Sequence, residues 1–138
     1  AKHFRMVKEV IEHISGEELD VAAAFAAEEA APQAKGASLL DKYEASSDPA
    51  ALAAYQLVAE GRAEAVWYEM AECVEDDFIS SRYAAIAKDE GFHSNIGGWK
   101  LEKLVEGAAD VQERILAMVE QMRYDLLEIS NKNTAIAV

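Results

Sequence analysis

Two long helical segments, each with an apolar seam broken midway by acid, constrain this chain more than any other feature of its sequence. In alternating steps of three and four, the segment after Asp48-Pro49 reads Leu57, Glu60, Glu64, Trp67, Ala71, Val74. The segment after the acidic turn Glu75-Asp76-Asp77 reads Ile79, Tyr83, Ile86, Glu90, His93, Gly97, Leu101, Leu104. The first helix should run from Asp48-Pro49, an N-cap acid with proline at N1, to about Glu75. The second should run from about Phe78 to Glu106, with a bend expected near Gly97-Gly98. A turn centred near residue 75 folds the two into an antiparallel hairpin. Glu60 and Glu90 are each 15 residues from that centre, so their carboxylates should face each other, roughly 22 Å from the turn at ~1.5 Å rise per residue.

Two inward carboxylates at one level repel each other, and leaving them uncompensated costs several kcal/mol. A shared proton, a lysine or a metal cation must compensate. Neither seam carries a lysine near that level. His93 lies one turn beyond Glu90 on the same face, and neutral imidazole is a good ligand for a transition metal. Glu-x-x-His on one bundle helix, with a separate glutamate from the facing helix, is half of a carboxylate-bridged two-metal arrangement. In that arrangement Glu90 bridges two ions, and His93 and Glu60 each bind one terminally.

The other half needs a second histidine. The opening stretch AKHFRM puts His3 on an apolar stripe with Met6/Val7, Val10 and Ile14, which makes His3 the candidate. His13 competes for that role through Glu9, four residues before it. However, it sits beside the Ser15-Gly16 stop, where a cationic histidine complements a helix C-terminus. Glu64, one turn from Glu60 on the seam, is a further candidate ligand.

The rest of the chain is organised around this hairpin. With 138 residues it is long enough for one domain and too short for two. Only two prolines and seven glycines interrupt an alanine-rich sequence that is 51% hydrophobic, which predicts an all-α fold. Residues 1–15 read as the end of a bundle helix already in progress, 16–47 as a crossover, 48–106 as the hairpin, and 107–129 as a C-terminal helix used for packing. A loose tail is expected from Asn131 onward. Twenty-six acidic against 13 basic residues give a net charge of −13, a surface that nucleic acid and anionic membranes repel. The single cysteine, Cys73, excludes a disulfide framework within the chain and is expected to be buried or half-buried. No apolar run is long enough for a membrane span, and a reducing cytoplasm fits the lack of disulfides.

The stretch AAIAKDEGFH is similar to the second Glu-x-x-His helix of rubrerythrins. VEDDF followed by AKDEGFHSNIG resembles the hairpin of cyanobacterial aldehyde-deformylating oxygenases. Both belong to the ferritin-like di-iron carboxylate superfamily, and the likeness covers about 35 residues, Glu60 to Gly97. The resemblance implies a ferritin-like four-helix bundle with one long crossover. It also implies two iron ions, with manganese as the alternative, held by four carboxylates and two histidines. By position, Glu60, Glu90, His93 and His3 match that ligand set. The superfamily's first helix, with its glutamate, and the glutamate before His3 are missing from this chain, and the C-terminal helix is extra. Where the oxygenases keep a carboxylate one position nearer the turn, this chain has Gly61. The activity implied is oxidoreduction with O₂ or peroxide, in a homodimer or higher homo-oligomer served by an electron-donor protein. Tyr68 and Tyr83 are the candidate catalytic phenols, able to give a proton or an electron. A metal-storage bundle without turnover, and a structural dimerisation bundle with a vestigial site, remain as alternatives.

Overall fold

The computed structural model describes residues 2–30, 43 and 46–136, and every element among them is helical. Helix α1 (Lys2–Ser15) buries Val10 from its apolar stripe. It ends where expected, at Gly16, whose φ of +71° is a left-handed turn that a side chain would strain. The segment read as a crossover opens with a helix of its own, α2 (Val21–Ala30), held to α1 by the stacked rings of Phe4 and Phe25, 5.8 Å apart. Of the expected crossover, residues 31–42, 44 and 45 lie outside the described residues.

Asp48 caps α3 (Pro49–Tyr55) by accepting the Ala50 N–H at 2.9 Å, with Pro49 at the first position. The chain does not stop at Tyr55. It passes through one π-helical turn, Gln56–Glu60, straight into α4 (Gly61–Cys73). The expected long helix is therefore present, ends two residues early, and carries an inserted wide turn that the seam pattern did not reveal. Helix α5 (Asp77–Val105) begins at Asp76, whose carboxylate accepts the Ile79 N–H at 3.0 Å, and continues through Gly97-Gly98 as one helix. Helix α6 (Ala109–Ile136) extends past the expected tail, because the stretch from Asn131 holds neither proline nor glycine to end it. Cys73, expected buried or half-buried, is exposed, since it is the last helical residue at the mouth of the hairpin turn.

The apolar core lies at the end of the hairpin away from its turn. Ala50, Ala51, Ala53 and Ala54 of α3 meet Leu101 of α5 and Ile115, Val119 and Met122 of α6, with Tyr43 closing the cluster. Four buried alanines in α3 bring neighbouring backbones close, whereas Leu52 is turned outward. Helix α1 lies along α5, fastened by Arg82 Nε donating to Glu9 Oε2 at 2.7 Å and by His13 Nε2 against Asp76 Oδ2 at 2.8 Å. The hairpin is thus held from one side by α1 and from another by α6. No helix among the described residues is long and apolar enough to cross a membrane.

Candidate metal centre

The hairpin brings together the side chains that its sequence placed at one level. Ligand atoms of Glu60, Glu90 and His93 all lie within 4.8 Å of one another. His93 Nδ1 is 3.3 Å from Glu60 Oε2 and 3.7 Å from Glu90 Oε2. On the other side His3 Nδ1 is 3.1 Å from Glu90 Oε1. Each oxygen of the Glu90 carboxylate therefore faces a different histidine. The two imidazole rings are 6.5 Å apart, centroid to centroid. The ring of His3 is oriented from behind by Asp89, whose Oδ2 lies 3.1 Å from Nε2. Lys2 also bonds that oxygen, and its ammonium, more than His3, holds the Asp89 carboxyl below the usual range.

Local sequence explains why these groups converge. The π-helical turn ends on Glu60 and inserts an extra residue into the helix face just where the acid must point at α5. Such insertions are common at functional sites. Ser94 Oγ reaches across from α5 and donates to the Leu57 carbonyl at 3.1 Å, supplying a donor where the widened turn disturbs the regular ladder. The helices approach closely because α5 presents Gly91, Ser94 and Gly97 on the buried face. The sequence pattern did not single out Ser94; a hydroxyl on a buried face opposite a glycine, Gly61, is the signal that could have found it.

Glu60 is the least comfortable side chain in the cluster. Its Oε2 is buried and, despite the proximity of His93, has no hydrogen-bond partner among the described residues. Burial raises its pKa above the ordinary glutamate value, Glu90 adds to the rise, and His93 and His3 oppose it. The folded chain therefore binds the Glu60 proton more tightly than the unfolded chain. Its metal-free stability falls as pH climbs from the ordinary value of 4.5 through the raised one. Glu60→Gln should then raise the Tm of the metal-free protein at pH ~7 and make no difference below pH ~4, where Glu60 is protonated anyway. Thermal unfolding at the two pH values checks this; equal Tm values at neutral pH would show that the carboxylate is already compensated.

Glu64 stands just outside the group of three. Its carboxylate rests on Gly91, in space that a methyl would occupy: a Cβ at position 91 would lie 2.4 Å from Glu64 Oε1. Because Oε1 is the end of a flexible chain, Gly91→Ala should leave the fold intact, and alanine's helix preference contributes up to ~1 kcal/mol in its favour. It should nevertheless dislodge the Glu64 carboxylate from its place against Gly91, the residue after Glu90, and weaken metal affinity about tenfold. A metal titration alongside urea unfolding separates the two effects; unchanged affinity in a folded variant would remove Glu64 from the site.

The other candidates lie elsewhere. Tyr83 packs its ring on Trp67, 5.3 Å between centroids, and Tyr68 is exposed; neither belongs to the group of three. Helical rise puts Tyr83 about 10 Å along α5 from Glu90, and Tyr68 about 12 Å beyond Glu60. His13 pairs with Asp76 and stacks on Phe78 at 4.5 Å, which makes it a fastener of α1. An open cleft of about 410 Å³, lined by Leu52, Tyr55, Gln56, Ala59, Ala63 and the two acids, leads to Glu60 and Glu90. A second cleft, of about 430 Å³, is lined by Lys2, His3, Asp89 and His93. The chain matches no family model, no curated protein and no solved structure.

Proposed function

We propose that this chain is a di-iron carboxylate oxidoreductase of rubrerythrin-like type, built on a ferritin-like bundle and acting on O₂ or peroxide. The observation that carries the reading is the Glu90 carboxylate, with one oxygen 3.1 Å from His3 and the other 3.7 Å from His93. A carboxylate placed this way suits two cations side by side better than it suits one. The stranded Glu60 Oε2 supports the same fit, because a cation beside it would remove the penalty of an unpaired buried acceptor. The donor set of carboxylates and imidazoles suits iron or manganese.

Glu90 would bridge, with Glu60 and His93 holding one ion and His3 the other. Asp89 fixes the ring of His3, so that Nδ1 and not Nε2 faces the site. Iron held there supplies the redox chemistry by which O₂ or peroxide is reduced. One turn before Glu90 on α5, Ile86 is 1% exposed and keeps water from that side, while the cleft at Glu60 and Glu90 admits a small oxidant. An electron-donor protein and a homo-oligomeric assembly complete the proposal.

Storage without turnover is the rival reading, and the openness of His93, whose side chain is 44% exposed, favours it. One experiment separates the two. Protein loaded with ferrous iron in the absence of air is mixed with hydrogen peroxide and a chemical reductant, and peroxide loss is followed. Repeated turnover above that of the same iron in buffer supports the oxidoreductase; a single oxidation with no further consumption supports storage.

A further inference from the structure

A third cleft lies between the π-helical turn and α6 and shares no residue with the candidate metal centre. It measures about 280 Å³ and is lined by Leu57, Val58, Gly61, Leu126, Arg62 and Arg123. Its charge runs against that of the molecule: in a chain of net charge −13, it gathers two guanidinium groups and no acid. Arg62 Nη1 donates to the Leu126 carbonyl at 3.2 Å, which fixes that guanidinium at the rim and leaves its remaining N–H groups available. Arg123 forms no ion pair among the described residues. Leu57, Val58 and Leu126 give the cleft an aliphatic wall.

We propose that this cleft binds a small monocarboxylate with a short aliphatic tail. Guanidinium groups match a carboxylate in two-pronged hydrogen bonding and in charge. The aliphatic wall rewards a tail, which an inorganic anion lacks. The volume lies just below the range of drug-sized sites, which limits the tail to a few carbons. The carboxylate sits between Arg62 and Arg123, and the tail lies along Leu57, Val58 and Leu126. This inference does not depend on metal, since none of Glu60, Glu90, His93 or His3 takes part.

Hexanoate, hexanol and inorganic phosphate, titrated separately into the full chain and followed by calorimetry or by NMR shifts, provide the test. Saturable hexanoate binding is expected, with hexanol and phosphate each at least about tenfold weaker because each loses one half of the recognition. Arg123→Gln should weaken hexanoate about tenfold while circular dichroism stays unchanged, and Arg123→Lys should restore part of the loss. No saturable hexanoate binding, phosphate bound as tightly as hexanoate, or an Arg123→Gln variant that binds hexanoate normally would each overturn the proposal.

Discussion

Replacing Glu90 with alanine should abolish tight ferrous-iron binding, the largest functional effect expected of any single substitution in the chain. Glu90 approaches both His3 and His93, through Oε1 to His3 and Oε2 to His93. Its loss removes a ligand from both proposed ions together, whereas Glu60→Gln would weaken only one. Losing a ligand outright should exceed the 10- to 100-fold cost typical of disturbing a supporting residue, so a fall of more than about 100-fold is expected. The fold should survive, because Glu90 lies outside the core cluster of α3, α5 and α6. Removing one of two mutually repelling acids also relieves Glu60. Anaerobic iron titration of the variant and its parent measures this. Iron bound equally by both would place the metal, if any, elsewhere.

The largest stability effect should come from Gly97→Val. A Cβ at position 97 would lie 2.6 Å from the Ala53 carbonyl oxygen, 2.7 Å from the Leu57 nitrogen and 2.8 Å from Gln56 Cβ. Two of these are backbone atoms of the facing helix and cannot step aside separately, so the helices must part. Overpacking of this kind costs about 3 kcal/mol, and valine's modest helix preference over glycine offsets little of it. The parting occurs one turn from His93, so the Glu60–His93 approach should open as well. Gly98→Ala is the control: a Cβ there meets only Leu57 Cδ1, at 3.7 Å, and should be tolerated. Urea unfolding of the three proteins is the measurement. Equal midpoints for Gly97→Val and its parent would mean that the helices are not in contact at this level.

What could be read from the sequence, and what could not, follows from the range of each interaction. The hairpin and its paired acids were legible because a short turn and a constant helical rise fix which residues lie opposite one another. Equal distances from residue 75 placed Glu60 beside Glu90, and the ligand atoms do meet. The cap at Asp48 and the stop at Gly16 were legible because each is a contact within a few residues; Asp76 was read only as part of an acidic turn, yet it caps α5. The π-helical turn was not, since an inserted residue disturbs the seam by only one position and its partner, Ser94, is 37 residues away. Nor was the role of Gly91: its missing side chain makes room for the Glu64 carboxylate, which only the packed helices reveal. The cleft between Arg62 and Arg123 joins residues 61 positions apart in sequence, so no periodicity within one helix could disclose it. Tyr68 and Tyr83 were singled out as phenols able to give a proton or an electron, without regard to the way each one faces. Direction around the helix decides whether a phenol can serve the site, and Tyr68 points to solvent.

Whether Glu60, Glu90, His93 and His3 together hold metal decides the proposed function. The direct measurement is the iron retained per chain after anaerobic loading and desalting, in the parent and in His93→Ala. About two irons per chain in the parent, falling to about one in the variant because His93 holds only one of the two ions, is the predicted result. A parent protein that emerges free of iron, or a variant that keeps all of it, would contradict the account.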